Sequence, residues 1–193
     1  SLYNDRLRRQ YFPQDGERIQ LNPKGARMAK NSTQGTANAV RELIEPTVTE
    51  LGYDIWDVEY VKEGADMHLR ITIDSEDGID IDDCEKVHRA IDPLIDKADP
   101  IEESYLLEVS SPGIERRLRT PEHFLACIGE TVNLKLFAPI EGDERTKSKQ
   151  IIAPMIAFDP ETKNVTVEDG TENGLIVPWN LISRANIWYD FGD

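Results

Sequence analysis

Several things that this 193-residue sequence has little of narrow what it can be. Two cysteines, Cys84 and Cys127, are too few and too far apart for a zinc ribbon or a disulfide scaffold. They read as small buried hydrophobes of a protein kept in a reducing compartment, and the expected location is the cytoplasm. Three histidines, His68, His88 and His123, form no HxxxH or HxH pair that would offer metal geometry. The longest unbroken apolar stretch, Ile151 to Phe158, is eight residues and contains Pro154, far short of the roughly 20 that a membrane-spanning helix needs. Positive charge is scarce as well: 22 Lys and Arg stand against 37 Asp and Glu, a formal charge of −15. Affinity for phosphate backbones comes largely from Lys and Arg releasing counterions, so such a balance opposes nucleic-acid binding through a general basic surface. A basic protein is the better electrostatic partner.

What is present is enough for a core. At 39% hydrophobic and 31% charged, the chain can form one generous domain or two small ones. Charge is uneven along it. Residues 1–27 hold six Lys and Arg against three acids, residues 36–118 hold 22 acids against eight bases, and residues 119–193 hold 12 against seven. Residues 1–35 lack an apolar period and read as a disordered basic leader, of which 1–27, ahead of Met28-Ala29-Lys30, read as an over-extended start. The functional alternative for the leader is a basic arm that touches RNA.

From Val40, apolar residues recur at helical spacing (Val40, Leu43, Ile44, Val48, Leu51) up to the stop at Gly52, with Pro46 inside the pattern. Residues 53–61 and 67–74 read as a hairpin with a five-residue loop. In its second strand Met67, Leu69, Ile71 and Ile73 share one face and His68, Arg70, Thr72 and Asp74 the other. A second helix is expected near Asp83, capped by Asp82 with Glu85, with Pro93 ending or kinking it; Tyr105 to Ser110 then reads as a third strand. Helix, strand, strand, helix, strand is an α+β layer in residues 36–118. Residues 119–127 read as a linker with a short helical piece. Over residues 128–193, strands at Thr131–Phe137, Lys149–Phe158, Asn164–Glu168, Leu175–Val177 and Ala185–Tyr189 suggest a small closed or half-closed barrel. Pro154 cannot donate to a ladder, which predicts an edge or bulged strand there.

Few constellations carry chemistry. The acids from Asp74 to Asp83 invite a calcium loop, but Gly78 falls where a ligand belongs and not at the required turn position, so a solvated loop and helix cap are expected, and no metal. Neither a nucleophile elbow, a Walker A loop nor a dinucleotide fingerprint is present, so no cofactor and no catalysis are expected; an enzyme would have to use Ser110 or Ser111 with a histidine. The most unusual segment is Glu108-Val109-Ser110-Ser111-Pro112-Gly113-Ile114-Glu115-Arg116-Arg117-Leu118. A strand runs into a tight Ser-Ser-Pro-Gly turn and then into Arg116, Arg117 and Arg119. It reads equally as an interdomain hinge or as the one basic spot of an acidic protein, able to hold phosphate or carboxylate. Trp179, with Trp188, Tyr189 and Phe191, reads as barrel closure or as an interface anchor. Ser110, Ser111, Pro112, Gly113, Arg116, Arg117, Arg119 and Trp179 are therefore the candidate partner-binding or interdomain residues.

The segment EVSSPGIERRL resembles the signature of the bacterial ribosome maturation factor RimP family. Leu51-Gly52-Tyr53, Ile81-Asp82-Asp83-Cys84, Tyr105-Leu106-Leu107, Phe124, Gly129 and Ile182 to Ile187 fall in the order that the family shows. The chain departs from it at Ala153-Pro154, where a glycine is usual, and at Arg117, where proline is frequent. The resemblance implies an N-terminal α/β domain followed by a C-terminal SH3-like (Sm-like) small β-barrel. It also implies a non-catalytic factor that binds the immature small (30S) ribosomal subunit and helps its assembly, with a basic small-subunit ribosomal protein near the decoding region as partner; a monomer is expected, and contact with rRNA is a further expectation. The alternative is an RNA-binding module using Arg116, Arg117, Arg119 and the barrel.

Overall fold

A computed structural model describes residues 32–190 and divides the chain into two units, one ending at Pro112 and the other beginning at Gly113. Most of the expected leader, residues 1–31, lies outside the described residues. Its last residues are not leader but helix. Ser32 Oγ accepts the Gly35 N–H at 2.9 Å, satisfying one of the orphan donors of the first turn, and α1 (Thr33–Glu50) starts there. Ala37, Val40, Ile44 and Val48 are buried on one stripe of it. Pro46 and Glu42 are both exposed, so the carbonyl that the proline leaves without a donor faces water and the helix continues.

β1 (Asp54–Glu63) and β2 (Asp66–Asp74) pair antiparallel up to Glu63 opposite Asp66, which leaves Gly64-Ala65 as the whole connection. The expected five-residue loop is thus a two-residue turn. Gly64, at φ +61°, occupies the position where such hairpin turns need a residue free of Cβ strain. Trp56 sits in a bulge between Ile55 and Asp57 and is buried.

The second helix, α2 (Ile81–Ala98), is capped by Asp80 and not by Asp82. Asp80 Oδ1 accepts the Asp83 N–H and Asp83 Oδ2 accepts the Asp80 N–H, both at 2.9 Å. Tyr53 donates its hydroxyl to the other oxygen of Asp83, and that hydrogen bond, followed by desolvation, pushes the phenol up to about 12. Glu85 pairs instead with Arg89, one turn along. Pro93 is exposed and does not end the helix, which runs to a left-handed Asp99. β3 (Tyr105–Ser110) then lies parallel to β2, in the order β1-β2-β3. Leu69, Ile71 and Ile73 of the central strand meet Ile44 and Val48 of α1 and Val87, Ile91 and Ile95 of α2 in one core. Each such side chain is worth roughly 1.5–3 kcal/mol relative to exposure.

In the second unit the expected linker is structured. Thr120 caps α3 (Pro121–Ala126), Pro121 takes the first turn, where its missing N–H costs nothing, and His123 and Phe124 are buried. Five strands follow: β4 (Thr131–Leu136), β5 (Gln150–Phe158), β6 (Val165–Val167), β7 (Leu175–Val177) and β8 (Ile182–Ile187). They form one antiparallel sheet in the order β7-β6-β5-β4-β8. β5 is internal, and it pairs with β4 through Pro154 and with β6 from Met155, with a register shift between Met155 and Ala157. The bulged alternative for Pro154 is therefore the one found, and the edge alternative is not. Its carbonyl accepts the Glu168 N–H just past the end of β6, so the missing donor falls where that ladder has ended. Val132, Leu134, Met155, Val165, Val167 and Val177 are fully buried beneath the sheet.

Candidate functional site

The signature segment begins on β3 and ends on the second sheet. Glu108, its first residue, lies on the polar face of the first unit, between Arg70 and His68. Arg70 Nε donates to Glu108 Oε2 at 2.8 Å, and His68 Nδ1 lies 2.7 Å from Oε1. Arg70 also grips Glu63 with both terminal nitrogens, at 2.6 and 2.5 Å. The Arg70 guanidinium, and then His68, hold the Glu108 carboxyl below the usual carboxylate range; Arg70 does the same for Glu63.

After Ser110, Ser111 and Pro112 the chain enters the second unit at Gly113. That glycine has φ +74°, where a side chain would be strained although the space around it is open. The arginines that follow are fixed by backbone pairing. Ile187 N–H donates to the Arg116 carbonyl and Leu118 N–H donates to the Ala185 carbonyl, each at 2.9 Å, and Arg117 stands opposite Asn186. The segment thus lies along the free edge of β8, anchored by the buried Leu118. His123 Nδ1 accepts the N–H groups of Arg119 and Thr120 at 2.9 and 3.2 Å, which settles this buried histidine as a cap that holds Arg119 in place.

Together these contacts build a pocket of about 100 Å³ inside the second unit, lined by residues 117–119 and 182–185 with Phe124 and Trp179. Trp179 meets Phe124 and Phe158 edge-on, with ring centroids 5.3 and 6.2 Å away, and Lys163 Nζ lies 5.6 Å from its own ring centre. Of the residues singled out from sequence, Arg117, Arg119 and Trp179 come together here. Arg116 contributes its carbonyl to the β8 edge but does not line the pocket; Ser110, Ser111, Pro112 and Gly113 do not line it either. Arg184 and Ser183 were not foreseen: a single arginine in an alternating strand has no local signal, and only the pairing with residues 116–118 brings it beside Arg117.

Elsewhere, three acids of the 74–83 loop are occupied by the backbone. Asp74 accepts the Ser75 N–H, and Asp80 and Asp83 cap α2. Among the described residues no cluster of three or more His, Cys, Asp and Glu side chains is arranged to hold a metal ion, and no helix is long and apolar enough to cross a membrane.

Residues 43–115 match the family model described as the RimP N-terminal domain. The matched span takes in the hairpin, α2, β3 and the Ser-Ser-Pro-Gly turn up to Glu115, together with the part of α1 that carries Ile44 and Val48. The chain thus carries, over residues 43–115, the N-terminal domain of the RimP family of ribosome maturation factors.

Proposed function

We propose that the protein is a non-catalytic, monomeric assembly factor of the cytoplasm that binds the immature small (30S) ribosomal subunit and a basic small-subunit ribosomal protein there. The observation that carries this reading is the RimP N-terminal domain at residues 43–115. Charge supports it: residues 36–118 carry 22 acids against eight bases, and Asp82, Glu85, Asp96, Asp99, Glu102 and Glu103 are all exposed. Such a surface steers a basic protein into encounter and repels competing acidic ones. The second unit is read as an SH3-like (Sm-like) barrel, a reading supported by a sheet in which the last strand returns beside the first and by a strand, β5, that bends from one partner to another. A second reading, an RNA-binding module built on Arg116, Arg117, Arg119 and the barrel, is favoured by the pocket that gathers Arg117 and Arg119 with Trp179.

Sucrose-gradient sedimentation of a lysate tests the first reading. Expected are co-migration with free small subunits and, on deletion of the gene, unjoined subunits with unprocessed small-subunit RNA. A protein found only at the top of the gradient, with a normal profile in the deletion strain, refutes it.

A further inference from the structure

A sheet edge presents a row of backbone donors and acceptors that invites a further strand, and proteins usually blunt it. Residues 116–118 cover β8, β7 is three residues long, and β1 carries the bulge at Trp56. β3 is different. Among the described residues its one neighbour is β2, and no backbone hydrogen bond leaves its outer side. It contains neither the proline nor the lysine that commonly guards an edge. Its side chains are also incompletely covered. Leu69 and Ile71 of the central strand are fully buried, whereas Leu107 and Val109, which stand opposite them on β3, reach the same core only partly buried. Leu106, on the other face, is 51% exposed. A strand laid along β3 would pair with its outer side and cover all three.

Charge selects the kind of strand. Residues 92–110 hold six acids and one base. Asp92 and Asp96 lie one turn apart on α2, and burial, followed by the charges of Asp96, Asp92 and Asp99, pushes the Tyr105 phenol up at the start of β3. Asp96 and Asp99 stand at the C-terminal end of α2, where the helix dipole disfavours negative charge, so the fold gains nothing from them there. We propose that the outer edge of β3 takes up an extended, Lys/Arg-rich segment of a partner protein as a fourth strand, held through its backbone and drawn in by these acids. The inference deepens the assembly-factor reading and rests on it, because it gives the basic partner a place and a conformation. In such strand addition, main-chain hydrogen bonds supply affinity and alternate side chains supply specificity. A second copy of the chain suits the edge less, since two β3 edges side by side would bring like charges together. Residues 1–31 join the chain at α1, which packs against β1 on the opposite side of the sheet.

The test uses the full chain and a fluorescently labelled synthetic peptide in which valine alternates with lysine and arginine. Anisotropy gives the affinity, and amide hydrogen exchange read by NMR gives the place. Expected are binding and slowed exchange at alternate amides within residues 105–110. N-methylation of the peptide's alternate amides removes donors and leaves every charge. In the register facing β3 it is expected to weaken binding about tenfold or more, and in the other register to change little. Asp96→Asn combined with Asp99→Asn is expected to weaken binding about threefold at physiological salt, with the melting temperature unchanged or raised. Leu106→Lys, at an exposed position, is expected to weaken it as well. Four results would each overturn the proposal: no binding by the wild type, equal affinity for the two methylated peptides, protection confined to another strand, or β3 amides already protected in the free chain, which would mean that the chain itself or a second copy fills the edge. The two readings fail differently. Co-migration with small subunits by a protein that ignores the peptide sinks the β3 edge and keeps the assembly factor. Peptide pairing at β3 by a protein that never co-migrates does the reverse.

Discussion

Gly174 offers a sharp test of how the second sheet is packed. It has φ +70°, and a Cβ built there would stand 2.6 Å from the Val167 carbonyl oxygen, 2.9 Å from Ile156 Cδ1 and 3.1 Å from Thr166 Cγ2. The isoleucine can turn aside, but the carbonyl belongs to β6 and cannot. The loop has little slack, because Asp169 accepts from Thr171 and from Arg145, and the Thr171 hydroxyl accepts the Gly174 N–H at 3.2 Å. Gly174→Ala therefore adds a left-handed backbone penalty of about 1–2 kcal/mol to an overpacking cost of about 1–3 kcal/mol. Gly142→Ala is the control: its φ is +79°, but nothing lies within 4 Å of the added carbon, so only the backbone penalty applies. Urea unfolding followed by tryptophan emission measures both. At an m-value of about 1.5 kcal/mol/M, the midpoint should fall by about 1.5–3 M for Gly174→Ala and by about 1 M for Gly142→Ala. Amide exchange at Val165–Val167 should quicken only in the first. Equal midpoints for the two variants would refute the close approach of Gly174 to β6.

Two further outcomes concern the first unit. The folded-state pKa values of Glu108 and Glu63 lie below their unfolded values, so the unfolded chain binds more protons across that window. Their contribution is present above about pH 4.5 and is lost as pH falls through the depressed values, and Arg70→Met should flatten the acid side of a melting-temperature profile; an unchanged profile would mean that solvent screens these half-exposed pairs completely. Asp80→Ala removes the α2 cap and should cost about 1 kcal/mol in urea unfolding, whereas Asp82→Ala should change little; equal costs would return the cap to Asp82.

Most of the architecture was legible because it is written in local periods. Val40, Ile44 and Val48 recur at helical spacing, Leu69, Ile71 and Ile73 alternate, and both patterns describe a single face meeting a single core. The failures share a cause. The hairpin loop was overestimated because polar Lys62, Glu63 and Asp66 read as loop, whereas in the sheet they pair with one another and with Met67. The cap of α2 was displaced by two residues because Asp80, Asp82 and Asp83 are locally equivalent, and only a reciprocal bond to the backbone, backed by Tyr53 from 30 positions away, distinguishes Asp80. Pro93 was expected to end or kink a helix that runs on past it, and the helix holding Pro46 is likewise continuous, since a proline on a wetted face costs one hydrogen bond that water replaces.

The sequence by itself determined the elements, their buried faces, the acidic character of the first unit and the signature that runs into three arginines, because each is a property of neighbours along the chain. Tertiary structure alone decided where those arginines lie. Arg117 and Arg119 meet Arg184, some 65 positions later, only because residues 116–118 pair with the edge of β8, and Trp179 joins them only because Phe124 and Phe158 pack against it. A long-range backbone register has no local signature, since any exposed strand edge offers the same donors and acceptors, and its selection rests on the burial of Leu118 at the one register that also gathers the charges.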